Sequence, residues 1–136
     1  MNILFICKYN RFRSKIAEAL FNHYNKNKNN EAKSAGIRTY LLNPYIMEKA
    51  KRFLTQKGIK SDQEASVMVN EYLINWADRI IVVANDVDPK LFPKNKTEAW
   101  GIKDLDAEES KDFIERVDEI ETKVKGLISD LEKDKT

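Results

Sequence analysis

The sequence predicts an α/β protein, a three-layer sandwich in which a four-stranded parallel sheet carries helices on both faces. Residues 2–6 (NILFI) and 79–84 (RIIVVA) are continuous apolar runs, which is typical of parallel strands buried on both faces. Segments with helical spacing of apolar residues alternate with the strand candidates, and this alternation favours a doubly wound topology. The length of 136 residues suits one domain, so we expect a single domain over 1–136.

The first helix and the second strand follow the opening strand. The helix is predicted from Ser14, because apolar residues recur after it at spacings of three and four and its hydroxyl offers capping chemistry. We expect the helix to end in the polar run 25–30 (NKNKNN). Residues 31–35 (EAKSA) are the second strand candidate, and Gly36 ends it.

The second helix has signals at both of its ends. Asn43 is a favourable cap, and Pro44 at the first helical position loses no hydrogen bond, so the helix is predicted to open there. Gly58 suits its C-terminal cap, since glycine adopts the left-handed conformation at low cost. Its apolar face consists of Ile46, Ala50, Phe53 and Leu54.

Three further elements complete the prediction. A shorter helix is expected around 68–76, and residues 97–100 (TEAW) are the fourth strand candidate after the strong strand signal at 79–84. From about Ala107 to Lys133 the pattern is that of a long amphipathic helix. Its apolar stripe consists of Phe113, Val117, Ile120, Val124, Leu127, Ile128 and Leu131. We expect this stripe to pack on the sheet.

Composition and charge exclude several classes of protein. Apolar residues make up 42% of the chain and charged residues 34%, as in ordinary soluble proteins. A net charge of +2 gives no support to a nucleic-acid or membrane partner. The chain has one cysteine, so it forms no internal disulfide, and its first residues lack the features of a signal peptide. We therefore predict a cytoplasmic protein, a monomer or weak dimer, with neither a metal nor another cofactor.

The segment 7–14 carries the chemistry, and we call it the phosphate loop. Five residues separate Cys7 from Arg13, and Ser14 follows directly. A tight loop between a strand and a helix turns backbone N–H groups toward an anion, and the positive end of the helix points at the same spot. Arg13 can donate two parallel hydrogen bonds to a tetrahedral oxyanion, and Ser14 can donate one to the sulfur.

A field that attracts phosphate also stabilises a thiolate. The Cys7 thiolate would attack phosphorus in line and form a cysteinyl-phosphate, which water then hydrolyses. Four basic residues add positive charge to the region: Lys8, Arg11, Arg13 and Lys15. The competing interpretation is a cysteine that serves as a small core residue, and the spacing to Arg13 between a strand and a helix favours catalysis.

A leaving alcohol needs a proton from a carboxylic acid near the nucleophile. Asp104 and Asp106, in the stretch WGIKDLDAEE, are both candidates for this general acid.

The loop CKYNRFRSKIAE resembles the signature of the low-molecular-weight protein tyrosine phosphatase family, whose fold arsenate reductases share. The signature is Cys-x-Gly-Asn-x-Cys-Arg-Ser-Pro-x-Ala-Glu after the first strand. The matching positions are Cys7, Asn10, Arg13, Ser14, Ala17 and Glu18. The resemblance implies Cys7 and Arg13 as catalytic residues and a substrate site formed by Lys8, Tyr9, Asn10, Arg11, Phe12, Ser14 and Tyr40. It also favours Asp104 as the acid, although Leu105 replaces the proline that follows the acid in the family.

Four departures from the signature fall within the segment CKYNRFRSKIAE. Tyr9 replaces a glycine, and a positive φ there would strain a tyrosine. Phe12 replaces a second cysteine, and Lys15 replaces a proline. Arg11 stands where the phosphotyrosine and phosphoarginine enzymes have smaller residues. It either contacts a second anionic group of the substrate or points to solvent.

The resemblance implies a cysteine-dependent phosphomonoester hydrolase, of the protein-tyrosine-phosphatase type, that acts on a phosphorylated protein or a small phosphomonoester. Two alternatives remain open. One is an arsenate reductase, which would need an external thiol because the chain has a single cysteine. The other is a phosphate-binding module without catalysis.

Overall fold

The computed structural model describes residues 1–61, 63–106 and 111–133. These residues contain a four-stranded sheet whose spatial order is β2-β1-β3-β4, with every neighbouring pair parallel. The strands are β1 (Asn2–Cys7), β2 (Glu31–Gly36), β3 (Arg79–Ala84) and β4 (Thr97–Ile102). The predicted sheet is confirmed, and all four carboxyl ends lie at one edge.

Helices cover both faces of the sheet, which confirms the three-layer prediction. The helices are α1 (Arg13–Tyr24), α2 (Glu48–Gln56), α3 (Glu71–Trp76) and α4 (Phe113–Lys133), and short 3₁₀ turns lie at Pro89–Leu91 and Lys94–Lys96. Three of them, α1, α2 and α4, share one hydrophobic core with Phe5 and Ile81. On the opposite face, Leu73 of α3 packs with Leu4 and Val82.

Strand β1 shows why its sequence is apolar throughout. Ile3 and Phe5 belong to the core on the α1 side, whereas Leu4 and Ile6 belong to the core on the α3 side. All four side chains are fully buried, because successive residues of a strand point to opposite faces and both faces are covered.

The predicted start of α2 at Asn43 and Pro44 is wrong. The backbone N–H of Ile46 donates to the Glu64 carbonyl (2.6 Å) and that of Met47 to the Arg11 carbonyl (2.7 Å). These tertiary hydrogen bonds keep the chain extended through Met47, so the helix begins at Glu48. The C-terminal prediction is confirmed, because Gly58 has a φ of +69° and its N–H donates to the Thr55 carbonyl (3.1 Å).

The start of α3 also differs from the prediction. Val69 donates its N–H to the Gly36 carbonyl (2.8 Å), so residues 68 and 69 pair with the end of β2 and are not helical. Asn70 then caps the helix by accepting the Leu73 N–H (2.9 Å).

The last helix, α4, is described from Phe113; the predicted start at Ala107 lies outside the described residues. Its buried residues are Phe113, Val117, Ile120, Val124, Leu127 and Leu131, so the predicted stripe does pack on the sheet side. Within the described ranges, no helix combines the length and the apolar character that crossing a membrane requires.

Candidate active site

A pocket of about 240 Å³ lies at the carboxyl ends of the strands. Its lining residues are Cys7, Tyr9, Arg11, Phe12, Arg13, Tyr40, Met47, Asp104 and Leu105. The three side chains predicted to be catalytic, Cys7, Arg13 and Asp104, therefore share one cavity although they come from distant parts of the chain.

The Cys7 thiol lies at the end of β1 and is nearly buried, with 3% of the residue exposed. Its Sγ is 2.9 Å from the Ser14 Oγ, and that oxygen accepts a hydrogen bond from the Asn10 side-chain amide (2.7 Å). Because Asn10 donates to the Ser14 oxygen, the single hydroxyl proton of Ser14 is available to the sulfur.

Ser14 does not have the capping role that its position suggested. The helix α1 begins at Arg13, and its N-cap, Phe12, makes no side-chain capping bond. The Ser14 side chain is fully buried, and its hydroxyl is engaged by Cys7 and Asn10 instead.

Asn10 adopts the left-handed backbone conformation, with a φ of 54°. Its side chain donates to Ser34 Oγ (3.0 Å) and accepts the Val67 N–H (2.9 Å), so it ties the loop to two neighbouring segments. Asparagine is well suited to this conformation. The strain expected at Tyr9 does not arise, because the left-handed residue of the loop is Asn10 and not Tyr9.

Gly36, at the end of β2, packs directly under the phosphate loop. A Cβ at this position would lie 2.9 Å from each of three backbone atoms, Asn10 N, Lys8 O and Tyr9 C. Only a glycine lets the strand end and the loop approach this closely.

Replacing Gly36 by alanine is therefore expected to push the loop away from β2 and to lower the free energy of unfolding by about 1–3 kcal/mol. Urea denaturation measures this change. The control is Gly126→Ala in α4, where nothing lies within 4 Å of the added methyl group and a gain of about 0.5–1 kcal/mol is expected. A Gly36→Ala midpoint equal to that of the parent protein would contradict the packing described here.

Arg13 is buried, with 3% exposed, and joins the loop to the ends of two other strands. One terminal nitrogen, Nη1, donates to the Ile102 carbonyl (2.9 Å), and the other, Nη2, donates to Asp86 Oδ1 (3.0 Å). Nη2 also lies 3.5 Å from Asp104 Oδ2. These contacts fix the guanidinium plane next to the cysteine pocket.

Asp86 was not predicted as a site residue. Asp86 follows β3 at the same edge of the sheet as Cys7. Its position shortly after a predicted strand could have identified it from the sequence, because the carboxyl ends of parallel strands meet at that edge.

The two acid candidates occupy different places. Asp104 lines the pocket, and its side chain is 53% exposed and accepts the Leu105 N–H (2.8 Å). Asp106 does not line the pocket. The geometry therefore places Asp104, and not Asp106, where an acid could reach a leaving group.

Two tyrosines and one arginine form a side wall. The rings of Tyr9 and Tyr40 meet edge to face, with centroids 5.7 Å apart. The Arg11 guanidinium carbon lies 5.3 Å from the Tyr40 ring centroid, and its Nε donates to the Tyr45 carbonyl (3.0 Å). Arg11 thus belongs to the pocket wall.

The basic residues of the loop divide into two groups. Arg11 and Arg13 line the pocket, whereas Lys8 and Lys15 do not. Lys8 lies against the Tyr9 ring, with its Nζ 5.3 Å from the centroid. Lys15 is buried and donates to the carbonyls of Gln63 (2.6 Å) and Ala65 (2.8 Å). Burial lowers the pKa of the Lys15 ammonium below its ordinary value of 10.5, and nearby carboxylates oppose this effect in part.

Phe12, which replaces the second cysteine of the signature, is a packing residue as well as a lining residue. It is buried and stacks on Phe113 of α4 with centroids 5.3 Å apart. Met47 and Leu105 complete the apolar lining, and no sequence pattern indicated that either one would reach the pocket.

A buried thiol with a hydroxyl donor, a buried arginine and a carboxylate at the mouth define a class of cysteine-based enzymes that act on tetrahedral oxyanions. The family comparison is consistent with this class. Residues 2–136 match the model of the low molecular weight phosphotyrosine protein phosphatases. The chain belongs to this family.

Individual relatives are named for different reactions. Arsenate reductase 1 of Bacillus cereus is 31% identical over 126 residues, which is 90% of each chain. The crystal structure of an arsenate reductase from Archaeoglobus fulgidus has a TM-score of 0.77 and 29% identity, covering 93% of this chain and 98% of that one. The YwlE arginine phosphatase from Geobacillus stearothermophilus has a TM-score of 0.82 and 26% identity, covering 98% and 94%.

Proposed function

We propose that this chain is a phosphomonoester hydrolase of the protein-tyrosine-phosphatase type. The observation that carries the proposal is the Cys7 sulfur, 2.9 Å from the Ser14 hydroxyl, in one pocket with Arg13 and Asp104. The thiolate attacks phosphorus as the bond from phosphorus to the leaving oxygen breaks, and Asp104 gives that oxygen its proton. Water then attacks the cysteinyl-phosphate, and phosphate and the thiolate are released.

The aromatic wall supports an aryl phosphate as the substrate. The Tyr9 and Tyr40 rings contact each other and line the same pocket as Cys7, and a phenyl group of the substrate would pack against them. The cavity of about 240 Å³ is small, which suits a phosphoryl group with one ring and not a larger ligand. Phosphotyrosine in a protein has these features.

Arsenate reduction is the second candidate, because curated relatives such as that of Bacillus cereus carry this name. Arsenate has the same tetrahedral shape, and in the same pocket the Cys7 sulfur would displace one of its oxygens, which leaves as water, to form a sulfur–arsenic bond. An external thiol must then attack that sulfur, so that arsenite leaves and a mixed disulfide forms, because Cys7 is the only cysteine in the chain.

One preparation of the reduced protein tests both candidates. Hydrolysis of p-nitrophenyl phosphate at mildly acidic pH, with no arsenate-dependent consumption of a small thiol or thioredoxin, is the expected result. The opposite pattern would replace the phosphatase by the reductase. Trapping a phosphate label on Cys7 by rapid denaturation excludes a binding module, and phosphate binding without any trapped label would favour one.

Replacing Asp104 by asparagine is expected to lower kcat by about 10²-fold for phenyl phosphate, since a poor leaving group depends most on the acid. The loss is expected to be much smaller for p-nitrophenyl phosphate, whose leaving group needs little protonation. Asp106→Asn is the matched control, because this neighbouring carboxylate does not line the pocket. Equal losses on both substrates would argue against Asp104 as the acid.

A further inference from the structure

A second groove lies between α2 and the start of α4, and we call it the basic groove. Its lining combines three basic residues with three apolar ones: Lys49, Arg52, Lys111, Phe53, Phe113 and Ile114. We infer that the basic groove docks an acidic segment of the protein substrate that also carries an apolar side chain. This inference rests on the proposed function and names its substrate class, a phosphotyrosine protein with such a segment a few residues from the phosphorylated one.

Two helices form the walls of the basic groove. Lys49, Arg52 and Phe53 are three and four residues apart, so they lie along one face of α2. On the α4 side, Phe113 is buried, whereas 55% of Ile114 is exposed. The groove encloses about 520 Å³, compared with about 240 Å³ in the catalytic pocket, so it has room for more than one side chain of a peptide.

The positive charge of the basic groove is not neutralised within the part of the chain that the structure describes. In residues 1–61, 63–106 and 111–133, none of its three cations pairs with a carboxylate. The Lys49 Nζ lies 5.1 Å from the centroid of the Phe113 ring, a contact that leaves its charge in place. Glu48 and Asp112 are neighbours in sequence, but neither lines the groove. Such a surface attracts an anionic ligand.

The basic groove is continuous with the catalytic pocket. Phe12 lines that pocket and stacks on Phe113 of the groove, with centroids 5.3 Å apart. Phe113 in turn meets Phe53 across the groove, with centroids 6.0 Å apart. An extended peptide rises about 3.3 Å per residue, so a linker of roughly three to five residues joins a phosphotyrosine in the pocket to the groove.

The chemistry of the lining selects the occupant. Glutamate or aspartate side chains complement the three cations, and an apolar side chain between them would cover the exposed part of Ile114 and the Phe53 ring. Because the phosphorylated residue sits in the adjoining pocket, the same polypeptide supplies both groups, and the second contact raises the affinity of the first.

Matched phosphotyrosine peptides test the inference. One peptide carries Glu-Leu-Glu after a Ser-Gly-Ser linker, a second has Gln in place of each Glu, and a third has Ser in place of Leu. The preference in kcat/KM for the first peptide over the second is expected to fall roughly fivefold in the double variant Lys49→Gln/Arg52→Gln, the size of two exposed charge pairs. In Ile114→Gln, the preference for the first over the third is expected to fall roughly threefold.

Lys51→Gln is the charge-matched control. Lys51 is also on α2, but it pairs with Glu64 (2.8 Å) and does not line the basic groove. Both preferences are expected to stay unchanged in this variant. All three peptides present the same phosphotyrosine, so any effect on the catalytic pocket cancels in the ratios. An unaltered acidic preference in the double variant would overturn the inference. An acidic preference without any contribution from the leucine would also overturn it, because the groove would then attract polyanions in general.

Binding of the unphosphorylated Glu-Leu-Glu peptide, followed by NMR chemical shifts, separates this inference from the proposed function. If phosphotyrosine turnover is absent but the peptide shifts Arg52 and Ile114, and the double variant abolishes this, the hydrolase is contradicted and the docking of an acidic segment stands. If turnover is present without any groove-dependent preference or shift, the hydrolase stands and the docking is overturned. Shifts at these residues that depend on protein concentration alone would assign the groove to a second copy of the chain and would also overturn it.

Discussion

Replacing Cys7 by serine is expected to reduce hydrolysis of p-nitrophenyl phosphate by 10³-fold or more, on the order of the loss seen when an enzyme's nucleophile is removed. A serine hydroxyl is neutral at neutral pH and is a far weaker nucleophile than a thiolate. Cys7 is nearly buried beside Ser14. The chain has no other cysteine, so no second thiol can replace it. Steady-state assays of the reduced protein measure the loss.

The loss must come from chemistry and not from a collapsed pocket. Serine preserves a polar atom next to Ser14, so the unfolding midpoint is expected to stay close to that of the parent protein. Calorimetry with inorganic phosphate is expected to show binding retained in Cys7→Ser, because the loop and Arg13 are unchanged. Residual hydrolysis above one tenth of the parent rate would remove Cys7 from the nucleophile's role.

The predictions that the structure confirms rest on strong local patterns. The run at 79–84 is apolar at every position that the sheet buries, so burial on both faces could be inferred from the letters alone. The spacing between Cys7 and Arg13 likewise implied a loop with both residues in one place, and the two line one pocket.

The errors arose where a tertiary contact overrides a local preference. Asn43 and Pro44 form a good helix start in isolation, but the amides of residues 46 and 47 pair with Glu64 and Arg11, which are distant in sequence. The local pattern likewise predicts a helix that includes Met68, but Met68 pairs with Gly36 instead. No local signal encodes either partner.

In the candidate site, too, contacts between residues distant in sequence decide what a side chain does. Lys15 looked like one more cation for the phosphate, yet its ammonium is buried and binds the carbonyls of Gln63 and Ala65. Asp86 orients Arg13, and only the order of the strands brings the two together. Residue type and spacing therefore predict which side chains can react. The sheet topology decides which other residues orient those side chains.

Arg13→Lys is the variant that tests this support most directly. The guanidinium reaches the Ile102 carbonyl with one nitrogen and Asp86 with the other, so it holds the loop against the ends of β4 and β3. A lysine keeps the charge but has one nitrogen and no planar fork. We expect kcat/KM to fall by about 10²–10³-fold, equivalent to roughly 3–4 kcal/mol, as when a preorganised donor to the transition state is lost.

Arg79→Lys separates the geometry of Arg13 from a general effect of losing a guanidinium. Arg79 also pairs with a carboxylate, that of Glu98, but it lies at the first residue of β3, at the edge opposite the pocket. Its replacement is expected to leave activity unchanged and the free energy of unfolding within about 0.5 kcal/mol. Full activity in Arg13→Lys would mean that charge alone suffices, and the fixed plane between Ile102 and Asp86 would then have no part in catalysis. A large loss confined to Arg13→Lys would instead tie catalysis to the way the ends of three strands meet around one side chain.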